Sequence, residues 1–245
     1  MVTIAGRSIG GGAPCFVIAE AGVNHNGDVE LARRLVDAAA AAGADAVKFQ
    51  TFRAEGVASA AAPKAGYQLE TTDRDESQLE MLRRLELDGD AFRGLKAHAE
   101  ERGLVFLSTP FDVASVDLLD GLGVAAFKVA SPDLTNLPLL EEIARRGRPV
   151  ILSTGLAELD EVVTAVAAVR AAGAGDLVVL HCVSEYPARP EDANLRAMAT
   201  MADRLGVPVG YSDHTEGTEV ALAAVALGAC LLEKHFTLDL SLIHI

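Results

Sequence analysis

Eight short apolar runs, alternating with helical patterns, recur along this chain, and no other feature restricts its fold as tightly. The runs are Cys15–Ala19, Ala46–Phe49, Leu104–Leu107, Ala125–Val129, Val150–Leu152, Leu177–Leu180, Val207–Gly210 and Ala229–Leu232. Apolar periodicity predicts helices over Leu31–Ala42, Glu76–Leu85, Asp90–Arg102, Val113–Leu122, Leu139–Arg146, Leu159–Ala172, Leu195–Leu205 and Thr218–Leu227. Glycine turns such as Arg102-Gly103, Leu122-Gly123 and Leu205-Gly206 precede six of the runs. Short continuous apolar strands alternating with helices imply a parallel sheet covered on both faces. Eight such units without a linker or a break in composition favour a closed (β/α)8 TIM barrel. An open doubly wound sheet would carry a glycine-rich phosphate turn after its first strand. Ala21-Gly22-Val23-Asn24-His25-Asn26-Gly27 is no dinucleotide fingerprint. Val2–Ile4 and Ser8–Ile9 predict a β-hairpin ahead of the barrel, and the chain stops so soon after the last run that the eighth helix is expected to be missing.

One excursion breaks the rhythm. Arg53 to Leu87 is too long for a simple strand-to-helix loop, and its first half is alanine-rich and weakly patterned. Long insertions after barrel strands usually cover the active face. A net charge of −14 argues against a nucleic-acid or membrane-surface partner, since both attract positive proteins. Cys15, Cys182 and Cys230 show no metal-finger spacing and read as buried free thiols of a reducing compartment. The longest apolar run, Val220–Leu232, falls short of the roughly 18 residues of a membrane span. With no basic region and apolar stretch at the N-terminus, a soluble cytoplasmic protein is expected.

Every run ends in polar residues. In order they are Glu20; Lys48 and Gln50; Ser108, Thr109 and Asp112; Lys128 and Ser131; Ser153 and Thr154; His181, Ser184 and Tyr186; Ser212 and His214; Glu233 and His235. Barrel enzymes gather their catalytic groups at the C-terminal ends of the strands, so this series is the candidate site. Alternation puts Lys48 with Gln50, Ser212 with His214, and Glu233 with His235 on common faces. Lys48 and Lys128 interrupt apolar strands, where an unpartnered ammonium is costly. Two explanations stand open: structural ion pairs with a carboxylate such as Glu20 or Glu233, or capture of an anion at the barrel mouth. Ser131, Ser153, Ser184 and Ser212 would supply hydroxyl donors for such an anion. His214 and His235, ending consecutive strands, are either satisfied polar residues or two ligands of a divalent metal with open positions. His25 and His181 read as structural.

Together these stretches resemble the sialic acid synthase family, enzymes that use phosphoenolpyruvate to make N-acetylneuraminate and related nonulosonic acids. The resemblance is carried by Asn24 to Asp28 (NHNGD), Val47 to Thr51 (VKFQT), Glu76 to Leu87 (ESQLEMLRRLEL) and Ser108 to Asp112 (STPFD). It continues through Lys128 to Asp133 (KVASPD), His181 to Pro187 (HCVSEYP), Tyr211 to Thr215 (YSDHT) and Glu233 to Phe236 (EKHF). It implies condensation of phosphoenolpyruvate with N-acetylmannosamine or a related N-acylated amino-sugar aldehyde, with release of phosphate. By motif position, His214 and His235 would hold a divalent metal, Mn2+ or Mg2+. Lys48, Lys128, Ser131, Ser153, Ser184 and Ser212 would cradle phosphoenolpyruvate, and Glu20 would stand by the reacting centre. Gln50, Asp133 and Tyr186 would face the sugar. Ser184 stands where some members carry Asn.

Tyr67, Gln68 and Glu76-Ser77-Gln78 resemble the sialic and legionaminic branch more than the pseudaminic one. The family pattern also implies a barrel domain over 1–240, a non-matching tail over 241–245, and an absent C-terminal antifreeze-like domain. The full-length form would be a homodimer. Two alternatives accompany the main expectation: a related synthase of legionaminic acid or of a spore-coat or envelope sugar acid, and an incomplete barrel that binds anion and metal without turnover.

Overall fold

The computed structural model describes residues 1–64, 69, 73 and 75–239. The expectations placed on Tyr67, Gln68 and the tail 241–245 lie outside the described residues. Val2–Ile4 (β1) and Arg7–Ile9 (β2) form the expected hairpin, with Val2 opposite Ile9 and Ile4 opposite Arg7. Ala5 and Gly6 turn it with φ of 48° and 77°, the left-handed pair that a two-residue hairpin loop demands.

The eight strands of the main sheet are β3 (Phe16–Gly22), β4 (Ala46–Thr51), β5 (Val105–Pro110), β6 (Phe127–Val129), β7 (Val150–Ser153), β8 (Leu177–Cys182), β9 (Val209–Asp213) and β10 (Leu231–His235). Their order in the sheet is β5-β4-β3-β10-β9-β8-β7-β6. The first strand of the series thus neighbours the last, and the two at the ends of the order are consecutive in the chain. That is the cyclic order of a (β/α)8 fold; a doubly wound sheet instead reverses direction at a switch point.

Most strands run past the ends that apolarity predicts. β4 continues through Gln50 and Thr51, β9 through Asp213 and β10 through His235, and Gln50 pairs with Thr109 and Lys234 with Asp213. Side-chain polarity reports which face a residue serves, whereas the ladder is made by the backbone, so the two boundaries need not coincide. The polar series therefore lies largely within the strands, where it is held more rigidly than in loops.

The chain divides into two compact units, one of Met1–Ile18 and Val124–Lys234, the other of Ala19–Gly123 with the segment from His235. In the second unit, α1 (Val29–Ala41), α4 (Gly89–Glu101) and α5 (Val113–Leu122) start at Asp28, Asp88 and Asp112, whose carboxylates accept amide N–H bonds of the first turn. Such caps stabilise a helix by about 1 kcal/mol each. Leu35, Leu95, Leu119, Phe49 and Phe106 are buried there, each worth about 1.5–3 kcal/mol of removed apolar surface. The insertion contributes α2 (Ala54–Val57), a short helix its weak pattern did not predict, and α3 (Gln78–Leu85), begun by a Ser77–Glu80 capping box. Val23, Phe52, Met81 and Leu85 form a separate apolar cluster there.

In the first unit, α6 (Leu137–Ala144), α7 (Leu159–Ala171), α8 (Ala197–Leu205) and α9 (Glu219–Ala226) alternate with β6 to β10. Leu140, Ile143, Val169, Val178, Val179 and Leu231 are buried. Among the described residues no helix follows β10, and no helix is long and apolar enough to cross a membrane. The thiols correct one expectation. None of the three cysteines forms a disulfide, but only Cys182 is buried, whereas Cys15 and Cys230 are partly exposed just before β3 and β10, where side chains near the sheet's rim reach water. Burial, followed by the neighbouring Cys15, pushes the Cys230 thiol up to about 11.

The Asn24–Asp28 turn depends on one close approach. Gly27 has φ +77°, and a Cβ there would stand 2.2 Å from the Arg84 carbonyl oxygen. Gly27→Ala is therefore expected to lower stability by about 2 kcal/mol or more, measured by denaturant unfolding. A wild-type midpoint would contradict this packing.

Candidate active site

In the second unit, β4 carries Lys48 into the sheet, where it is 3% exposed. Its ammonium lies 2.7 Å from Glu20 Oε2 and donates to Thr109 Oγ1 at 3.0 Å. Glu20, on β3, is 1% exposed. Removing two ions from water is costly, so close approach and further hydrogen bonds are needed to offset it. Gln50 lies two residues along from Lys48, opposite Thr109 in the ladder. Asn24 Nδ2 donates to the Phe236 carbonyl at 3.0 Å, and Phe236 N–H donates to the Glu20 carbonyl at 3.2 Å. These bonds tie the segment just after His235, the last residue of β10, to the strand bearing Glu20. His25 is fully buried and accepts the Gly27 amide on Nδ1 at 3.0 Å, in keeping with a structural role.

In the first unit, β6 carries Lys128, 2% exposed. Its ammonium donates to Ser153 Oγ at 2.7 Å and to the Val129 carbonyl at 3.0 Å, with Glu233 Oε1 at 3.6 Å. Ser212 Oγ donates to Glu233 Oε1 at 3.3 Å. Both lysines thus have a carboxylate partner, as the ion-pair explanation requires.

His214 follows β9, and its carbonyl accepts the Ala188 amide at 2.9 Å. Its Nδ1 lies 2.5 Å from the Val183 carbonyl. A carbonyl only accepts, so the proton sits on Nδ1 and the Nε2 lone pair faces Ser212 Oγ, 3.4 Å away. Burial holds the His214 pKa below the usual histidine value, with Lys128 adding to the effect against the Val183 bond, Glu233 and Asp213. A neutral imidazole with its Nδ1–H fixed by a carbonyl presents Nε2 as an acceptor, the state in which histidine ligates a metal. Tyr186 lies over this ring, centroids 4.2 Å apart. Among the described residues no group of three His, Cys, Asp or Glu side chains gathers as a metal cage. A divalent ion would draw its remaining ligands from water or substrate.

The hydroxyls gather beside β7. Ser131, opening the 3-10 turn Ser131–Asp133 after β6, accepts the Gly155 amide at 3.0 Å and lies 3.1 Å from Cys182 Sγ. Ser184 Oγ is buried, with no hydrogen-bond partner among the described residues. Asp133 accepts from Asn136 Nδ2 at 3.1 Å, and burial raises its carboxyl against that bond. His181 donates Nε2–H to the Ala193 carbonyl at 2.8 Å and burial depresses its pKa, which is the structural role expected for it.

Sequence reasoning missed a strap behind His214. Lys234 donates to Asp213 Oδ2 at 2.7 Å and to the Thr215 carbonyl at 2.8 Å, while Asp213 Oδ1 accepts both the amide and the hydroxyl of Thr215. Opposite charges one residue out of phase with the Ser–His and Glu–His alternation on consecutive strands were the available signal. Cys182 and Gly155 were also missed, because neither residue type advertises a site.

The family model described as "NeuB family" matches residues 35–244. Over 226 residues the chain is 53% identical to N,N'-diacetyllegionaminic acid synthase of Campylobacter jejuni, covering 91% of this chain and 68% of that protein. It is 48% identical over 237 residues to the enzyme of the same name from Legionella pneumophila, covering 95% and 67%. The chain thus spans about two thirds of the length of these relatives. The crystal structure of N-acetylneuraminic acid synthetase from Leptospira borgpetersenii, in complex with citrate, superposes with a TM-score of 0.86 at 39% identity, covering 97% of this chain and 78% of that one.

Lys48→Met leaves Glu20 buried beside an apolar side chain. It is expected to cost about 3–5 kcal/mol of stability, with much of that recovered in Lys48→Met/Glu20→Gln. Additive losses in a denaturant double-mutant cycle would contradict a coupled pair.

Proposed function

The chain belongs to the NeuB family, the family of the sialic-acid-type synthases, and on that premise we propose that it joins phosphoenolpyruvate to an N-acylated amino-sugar aldehyde. The observation that carries this reading is Lys128, buried in a parallel strand, bonded to Ser153 Oγ and 3.6 Å from Glu233, with serine hydroxyls following on the adjoining loops. A fixed ammonium with hydroxyl donors suits the multiply charged end of phosphoenolpyruvate.

In this reading the methylene carbon of phosphoenolpyruvate bonds to the aldehyde carbon, whose oxygen takes up a proton. Water adds to the cationic carbon left behind and loses a proton. The carbon–oxygen bond to phosphate then breaks, giving the 2-keto acid and inorganic phosphate. Lys128, Ser131, Ser153, Ser184 and Ser212 hold the phosphate and carboxylate. Lys48 adds positive charge, and Glu20 steadies the cationic carbon or takes the proton of the added water. Gln50, Asp133 and Tyr186 contact the sugar. His214 and His235 would hold a divalent ion, Mn2+ or Mg2+, which when bound would polarise the aldehyde carbonyl.

The sugar is N-acetylmannosamine in the first form of the proposal. Identities of 53% and 48% to two N,N'-diacetyllegionaminic acid synthases, against 39% to the human N-acetylneuraminate-9-phosphate synthase, favour a second form, an aldehyde bearing two acetamido groups. The full-length protein acts as a homodimer in either form.

Phosphate release from phosphoenolpyruvate, assayed with Mn2+ and a panel of N-acylated amino sugars, tests the reading. This chain and one extended to the length of its relatives should both be assayed. Release is expected only with a sugar and a metal present. Chelation should abolish it, and His214→Ala or His235→Ala should reduce it by more than about 100-fold, beyond the loss typical of a residue that merely supports a ligand. Release that survives chelation and both substitutions would exclude the metal role.

A further inference from the structure

Ser131 Oγ stands between an amide and a thiol. The Gly155 amide donates to its Oγ at 3.0 Å, and Cys182 Sγ lies 3.1 Å from the same oxygen. A Cβ grown on Gly155 would stand 2.9 Å from each of Cys182 Sγ and Ser131 Oγ and 2.1 Å from Ser184 Oγ. Three heteroatoms therefore ring the bare Cα of Gly155, and the Ser184 hydroxyl among them is buried with no hydrogen-bond partner among the described residues. Cys182 itself is 5% exposed, so its thiol serves its neighbours rather than solvent.

A serine hydroxyl has one proton to give and two lone pairs to fill. The Gly155 amide fills one lone pair. When the Cys182 S–H fills the second, Ser131 has nothing left to offer except its own O–H. The reverse arrangement, with Ser131 donating to sulfur, spends the hydroxyl proton on a weak acceptor, and an ionised oxygen competes for it successfully. We propose that Cys182 is a positioning residue that commits Ser131 to donate, so that the Ser131–Ser184 pocket takes a ligand oxygen that only accepts, such as an ionised phosphoryl or carboxylate oxygen. This rests on the reading above, in which these serines hold the anionic end of phosphoenolpyruvate. Gly155 has a matching part: its missing side chain lets the three heteroatoms close to one another.

The test uses inorganic phosphate as the probe, titrated calorimetrically into the wild type, Cys182→Ala and Cys182→Ser, with kcat and KM for phosphoenolpyruvate measured on the same proteins. A serine at 182 can still donate, so Cys182→Ser is expected to bind phosphate within about twofold of the wild type. Cys182→Ala is expected to weaken phosphate binding about fivefold, the scale of one net hydrogen bond, and to raise KM by a similar factor while kcat falls less. Thermal melts of both variants verify folding. Unchanged phosphate affinity in Cys182→Ala overturns the inference, as does an equal loss in both variants, which would mean that the sulfur acts by filling space. A wild type that binds no phosphate overturns the anion cradle itself and this inference with it, a result distinct from the other two.

Discussion

An ammonium group cannot be sealed inside a parallel sheet without anions and hydroxyls arranged to receive it. Lys48 and Lys128 meet that condition differently. Lys48 is locked against Glu20 at 2.7 Å. Lys128 spreads its donors over Ser153, the Val129 carbonyl and a carboxylate at 3.6 Å. The looser of the two pairs leaves its cation more available to a competing anion, because attraction falls with distance while the cost of burial stays. Around Lys128 the proposed cradle adds hydroxyls on the adjoining loops, Ser131 after β6 and Ser184 after β8. In the proposed function, stability and anion binding draw on the same side chains.

The fold makes this arrangement possible at little backbone cost. Because each ladder continues through its polar residues, Gln50, Ser153, Ser212 and Glu233 have their backbones fixed by neighbouring strands rather than by loops. The Lys234–Asp213–Thr215 strap does the same for the residue that leaves the ladder first, His214. Its imidazole is then set by the Val183 carbonyl, which chooses the tautomer before any ligand arrives.

Much of this was readable in the sequence. Eight apolar runs of β length cannot all be buried unless helices cover them, so the (β/α)8 order followed from the pattern, down to helix α5, whose ends at Val113 and Leu122 match the expectation. Strand ends were placed too early because polarity was taken to end pairing. The helix α2 was missed because four residues are too few to show a period. At the candidate site, charge within an apolar strand singled out Lys48 and Lys128, and ion pairs with Glu20 and Glu233 were one of the two explanations left open. Cys182 and Gly155 gave no such sign. A thiol in an apolar run looks like core, and the need for a missing Cβ at Gly155 emerges only when three loops are brought around it.

The central proposal is that the buried Lys128 and the serines beside it take the anionic end of phosphoenolpyruvate. Phosphoenolpyruvate binding to the wild type and Lys128→Met, measured by calorimetry with the stoichiometry fitted, tests it most directly. The account predicts one ligand per chain in the wild type and an affinity at least about tenfold weaker in Lys128→Met, the effect of losing one charge-assisted contact. Wild-type affinity in folded Lys128→Met would contradict it.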